Sequence, residues 1–190
     1  MNAELQRKGR NKDTVINHTY IESSDYRRKF DCVSEDKRLN RLIYVISKEM
    51  LKHRSGTLYE DMYWIDIDTC QVIAKEINSK FEHKVIYSKA TKKAIKKYKH
   101  ILTIHSHPES GPPSVEDLNC NLKFTYELGI VCCHDGRIFS YRSNQYVGEF
   151  YYKLLVGQYE KSGYNHVDAQ IEALKEIQEK YDVVVKEVLL

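Results

Sequence analysis

From Ile101 to Tyr141 the residues spell out an order of elements that fixes the class of fold. Ile101–His105 (ILTIH) is a short apolar run suited to a buried strand, and Gly111-Pro112-Pro113 breaks the chain after it. Ser114–Leu128 reads as a helix, with Gly129 as its expected stop. Ile130–His134 and Arg137–Tyr141 flank Asp135-Gly136, a two-residue hairpin signal. Upstream, Leu39, Leu42, Ile43, Ile46 and Met50 fall at helical spacing; Ser34 can cap that helix, Glu35 and Asp36 suit its positive end, and Gly56 stops it. Met62–Asp68 (MYWIDID) alternates as a strand does, Asp68-Thr69-Cys70 is a turn, and Gln71–Ile77 is the return strand. Lys84–Ser88 is a further strand candidate, Lys89–Tyr98 is helical, and two helices near 146–160 and 165–180 close the chain. Strands interleaved with helices require a sheet covered by helices, so the expected fold is α/β (α+β), a mixed sheet flanked by helices. The expected organisation is an N-terminal arm or peripheral segment over 1–33, a main domain over 34–145 and a C-terminal helical extension over 146–190. Val167, Ile171, Leu174 and Ile177 form a narrow stripe on the last helix, able to pack on the domain or on a second copy.

Composition excludes several other classes. Apolar residues at 42% and charged residues at 30% fit an ordinary globular chain, and 190 residues suffice for a real core. No apolar run approaches the roughly 20 residues of a membrane span. The first 20 residues lack the apolar stretch of a signal peptide, so a cytoplasmic protein is expected. Cys32, Cys70, Cys120, Cys132 and Cys133 are odd in number and irregular in spacing, which is no disulfide framework; they are expected to be reduced and structural. Alternation along a strand sends Cys132 and Cys133 to opposite faces, and core cysteines are preferred there over a second metal site with His134. A formal charge of +3 does not imply nucleic acid. Lys89, Lys92, Lys93, Lys96 and Lys97 stripe one helix face. A solvated face is the ordinary meaning of such a stripe, and binding of nucleic acid or an acidic protein tail is the sharper one. No aromatic interleaving beyond Tyr98 favours single-strand binding.

The chemistry concentrates between His105 and Asp117. Strand side chains at i and i+2 share a face, so His105 and His107 can converge before Pro108 ends the strand. Asp117, in the first turn of the following helix, can be aimed at both. Two imidazoles and a carboxylate suit Zn²⁺ and leave the fourth tetrahedral position open for water, as in catalytic rather than structural sites. The competing meaning is local: Ser114-Val-Glu-Asp117 resembles a capping box in which the carboxylate only serves a backbone N–H. The same ligand types form the facial triad of iron oxygenases, but those sites usually sit on all-β barrels. A deaminase-type site lacks its Pro-Cys-x-x-Cys here.

His105-Ser-His-Pro followed by Pro-Pro-Ser114, two residues and Asp117 resembles the JAMM signature of MPN-domain metalloproteases, with bacterial and phage JAB or RadC-like proteins as the nearest branch. The resemblance covers about 50–145. It departs in one respect, nine residues between His107 and Asp117 where the commonest family pattern has ten. It implies the MPN/JAB (cytidine-deaminase-like) layered fold and one Zn²⁺ per chain on His105, His107 and Asp117. It also implies Ser114 as support for the metal water and oxyanion, and an upstream glutamate as general acid/base. Glu60, at the head of the strand after the first helix, is the expected glutamate, with Asp61 and Glu76 as rivals. The implied activity is peptide or isopeptide hydrolysis, on a protein or peptide substrate such as a ubiquitin-like tail. Alternatives are a RadC-like role in DNA metabolism and a non-catalytic scaffold.

Overall fold

The computed structural model describes residues 11–190. A single six-stranded sheet carries the fold, in the order β2-β1-β3-β4-β5-β6. Its strands are β1 (Met62–Asp66), β2 (Gln71–Glu76), β3 (Ile101–His107), β4 (Leu128–Cys133), β5 (Ile138–Ser143) and β6 (Val183–Glu187). Only β3 and β4 run parallel, joined through α5 (Val115–Phe124); every other pairing is antiparallel. The α+β class with a mixed sheet is as expected.

Period-two alternation divides the core into two sides. Tyr63, Ile65, Leu102, Ile104, Ile130, Cys132 and Ile138 face α3 (Lys37–Arg54), which brings Leu39, Ile43, Ile46, Met50 and Leu51. Val131, Cys133, Phe139 and Tyr141 face α5 together with α6 (Glu149–Lys161) and α7 (His166–Lys180). Cys132 and Cys133 do lie on opposite sides, and all five cysteines are free thiols. The stripe on α7 packs on the domain itself: Leu174 and Ile177 are buried there with Ala169 and Ala173.

Several boundaries differ from expectation. Helix α3 is capped by Asp36, whose carboxylate accepts the Arg38 N–H at 2.7 Å, while Ser34 closes the preceding turn on the Asp36 N–H. Helix α5 ends at Phe124, because Thr125 turns left-handed with φ 53° and sends its N–H back to Asn121 and Leu122. Gly129 is no helix stop; it sits inside β4 opposite Tyr141. Lys84–Ser88 is not a strand and pairs with none. Its alternation comes from packing: Val85 and Tyr87 turn inward onto the Trp64 cluster, and Ile86 is half exposed. Strand β6, on the far edge, was not anticipated.

Residues 11–33, expected as an arm or peripheral segment, are part of the core; the first ten residues of that expected segment lie outside the described ones. A 3-10 turn (Lys12–Thr14) and two short helices, α1 (His18–Ile21) and α2 (Ser24–Phe30), bury Ile16, Ile21, Tyr26 and Phe30 against α3. They also brace the β4–β5 turn: His134 Nδ1 donates to Thr14 O at 2.6 Å and Lys29 Nζ to Gly136 O at 3.0 Å. Gly136 needs its φ of +91° and its missing Cβ, which would lie 2.4 Å from the Tyr20 ring. No helix of the described residues is long and apolar enough to cross a membrane.

Candidate metal centre

Strand β3 delivers the two histidines. It lies between β1 and β4, with His105 opposite Met62 on one side and Val131 on the other, and His107 opposite Cys133. Both imidazoles project on the α5 side, and their Nε2 atoms stand 3.0 Å apart. His107 Nδ1 donates to Gly111 O at 3.0 Å, in the loop that follows, which aims Nε2 at the cluster. His105 Nδ1 is buried with no partner among the described residues.

Helix α5 delivers the carboxylate, and the capping box is the device that does it. Ser114 is the N-cap, and its Oγ accepts the Asp117 N–H at 3.1 Å. Asp117 Oδ2 accepts from the Ser114 N–H at 2.8 Å and from its hydroxyl at 2.7 Å. That leaves Oδ1 3.3 Å from His105 Nε2, with Oδ2 3.5 Å from His107 Nε2. Capping and convergence on the histidines are therefore one geometry rather than rival meanings.

These separations fit a metal. Ligand atoms 2.0–2.1 Å from a tetrahedral Zn²⁺ lie about 3.3 Å from one another. One ligand atom from each residue lies within 4.8 Å of the others; the Nε2–Nε2 separation of 3.0 Å and the approaches of 3.3 Å to Oδ1 and 3.5 Å to Oδ2 are close to that edge. His105, His107 and Asp117 can thus hold a metal ion, and they form the single such cluster among the described residues. The charges agree. Burial works against the Asp117 carboxylate, yet His105 and His107 hold it well below the usual carboxylate range. Burial also opposes the His107 cation, but Asp117 and Glu60 lift that imidazole to about 9.

The cluster opens onto a cavity of about 470 Å³ whose wall includes Glu60, His105, His107, Ser114 and Asp117. Glu60 is buried, and burial raises its pKa against the opposing pull of His107 and His105. Its position follows from its neighbour. Asp61 N–H donates to Ser106 Oγ and Ser106 N–H to Asp61 O, both at 3.1 Å, which brings Glu60 abreast of His107. The two rival carboxylates lie elsewhere. Asp61 points to the α3 side, where it accepts from Arg54 Nε at 2.5 Å and meets His53 Nδ1 at 2.6 Å. Glu76 is held at the start of α4 (Lys89–Ile95), accepting from the Ser88 N–H at 2.9 Å and the Thr91 hydroxyl at 2.5 Å.

Other parts of the cavity wall had no sequence signal. His83, Lys84, Val85 and Tyr87 come from the segment after β2, Tyr141 from β5, Tyr152 from α6, and His166, Val167 and Gln170 from α7. The Tyr141 ring meets His105 edge-on, with centroids 6.2 Å apart. Glu160 Oε1 accepts a hydrogen bond from His166 Nδ1–H at 2.7 Å, leaving Nε2 to accept from the Gln170 amide at 3.1 Å. His134 is occupied by Thr14 and joins no metal cluster.

Fold and site define a class: an α+β protein with a six-stranded mixed sheet and a buried His-His-Asp cluster at the floor of a cavity. No family model, curated protein or solved structure matches the chain.

Proposed function

We propose that the chain is a zinc-dependent hydrolase of amide or isopeptide bonds, with His105, His107 and Asp117 as metal ligands and Glu60 as general acid/base. The observation that carries this reading is a buried glutamate on the same cavity wall as two imidazoles and a carboxylate whose ligand atoms lie within 4.8 Å of one another. The resemblance of His105–Asp117 to the JAMM signature supports it from the sequence. A bound zinc would lower the pKa of a coordinated water from about 15.7 to about 7 and polarise the scissile carbonyl. Glu60 accepts the proton of the attacking water as its oxygen bonds to the carbonyl carbon. Glu60 then returns that proton to the amine nitrogen as the C–N bond breaks. Burial favours the protonated form of Glu60, which suits the second step. Ser114 has the oxyanion-stabilising role; its hydroxyl bonds Asp117 Oδ2, so that bond is exchanged for one to the oxyanion. The His107–Gly111 bond holds its imidazole in the ligating tautomer throughout.

The test is a panel of fluorogenic peptides and isopeptide-linked conjugates assayed on zinc-loaded protein. Glu60→Gln is expected to keep its zinc and lose about 10²–10⁴-fold in rate. Full activity in Glu60→Gln, or turnover that survives removal of all metal, sinks the proposal.

A further inference from the structure

Residues 80–99 hold eight lysines and one acidic residue, Glu82, whereas the whole chain carries a net charge of only +3. The remainder of the protein is therefore net acidic, and positive charge is concentrated in one place. Helix α4 organises it. Thr91 and Ile95 turn inward, and Lys89, Lys92, Lys93 and Lys96 share the exposed side at helical spacing, with Lys97 continuing it. Elsewhere several lysines are matched with acids, Lys48 and Lys52 with Glu22, Lys153 with Glu149, Lys175 with Glu172 and Lys180 with Glu176, while others such as Lys37, Lys75, Lys161 and Lys186 have no ion pair among the described residues. None of the five α4-face ammonium groups has an ion pair among the described residues.

The segment that leads into α4 lines the cavity. Lys84, Val85 and Tyr87 line the cavity wall and lead straight into Ser88, the N-cap of α4. Exposed Ile86 and Tyr98 lie in the same stretch and offer apolar contact between the charges. A chain bound along α4 can thus continue beside 84–87 into the cavity.

We propose that the α4 lysine face docks an acidic polypeptide segment whose uncharged continuation enters the cavity. As a statement about substrate, this rests on the hydrolase reading above. Charge placement selects polypeptide over nucleic acid. Glu60, Glu109, Glu116 and Asp117 all line the cavity. A nucleic-acid strand that continued from α4 into the cavity would carry a negative charge on every unit past Glu60 and Asp117, and past Glu109 and Glu116, which lie 3.6 Å from His83 and Lys84 respectively. A polypeptide can keep its acids in one block on α4 and present neutral residues to the carboxylate-lined cavity.

The experiment uses a fluorescein-labelled peptide with a block of about six glutamates followed by a Gly-Ala-Ser stretch. Its anisotropy is followed with the full chain and with the combined variant Lys89→Gln, Lys92→Gln, Lys93→Gln, Lys96→Gln. An oligonucleotide of equal charge serves as competitor, and melting curves confirm that the variant folds. The expected result is salt-sensitive peptide binding, weakened roughly tenfold or more in the variant, with the oligonucleotide the poorer competitor. Equal binding by variant and wild type overturns the proposal, as does an oligonucleotide that competes as well as the peptide. Zinc content is measured on the same samples. Peptide binding without any zinc removes the hydrolase reading and leaves the docking surface; zinc without peptide binding removes the docking surface alone.

Discussion

Gly129→Ala tests the link between sheet packing and the metal cluster. Gly129 pairs with Tyr141 across β4 and β5, and an added Cβ would lie 2.1 Å from Tyr141 Cζ and 2.4 and 2.5 Å from the two Cε atoms, directly under the ring. Ordinary carbon contact begins near 3.5 Å, so the ring must retreat by more than about 1 Å. Tyr141 is buried and edge-on to His105, so it has little room to retreat. Overpacking of this kind costs about 1–3 kcal/mol, which lowers Tm by about 2–12 °C for a chain of this size. Zinc affinity should fall as well, because the displaced ring presses toward His105. The decisive assay is a double-mutant cycle by urea denaturation. In a Tyr141→Ala background the ring is gone, and Gly129→Ala should cost nothing, or gain a few tenths of a kcal/mol from the lower unfolded-state entropy of alanine. An equal cost in both backgrounds would refute the packing argument.

Three further outcomes follow from the structure. Asp61→Asn leaves the buried Arg54 guanidinium without its charge partner and should cost about 3–5 kcal/mol in urea unfolding; a change under about 1 kcal/mol contradicts the buried pair. In metal-free protein the His107 pKa is raised to about 9 from an ordinary 6.5, so its stabilising contribution is complete below 6.5 and lost as pH rises through 9. Asp117 acts oppositely: its lowered pKa stabilises above the ordinary carboxylate range, and that contribution is lost on strong acidification. Metal-free protein should then unfold at lower urea at pH 9 than at pH 6, and a flat or rising profile contradicts this. Zinc at about 100 times its Kd should add about 2.7 kcal/mol and raise Tm by about 5–11 °C over chelator-treated protein, with no shift in His107→Ala.

The ligand set was legible in sequence because a strand has a period of two and a capping box a fixed offset. His105, His107 and Asp117 need only local geometry to meet, and the structure brings them together. The hairpin at Asp135-Gly136 was legible for the same reason. Gly129 was misread because glycine marks both a helix end and a close approach, and only the facing Tyr141 ring distinguishes them. Lys84–Ser88 imitates a strand because Val85 and Tyr87 pack on Trp64, whose ring lies 4.8 Å from that of Tyr87. Of the buried residues of the N-terminal segment, Ile21, Tyr26 and Phe30 lie on two helices too short to show a period, and Ile16 lies on the irregular stretch before them. The walls from Tyr152, His166 and Gln170 depend on contacts across tens of residues, which no local pattern encodes.

Metal analysis of purified protein tests the central claim most directly. The account predicts about one zinc per chain in wild type and in Glu60→Gln, and loss of that metal in His107→Ala and Asp117→Ala. Protein prepared without chelator that holds no metal, or variants at His107 and Asp117 that retain it in full, would contradict the account.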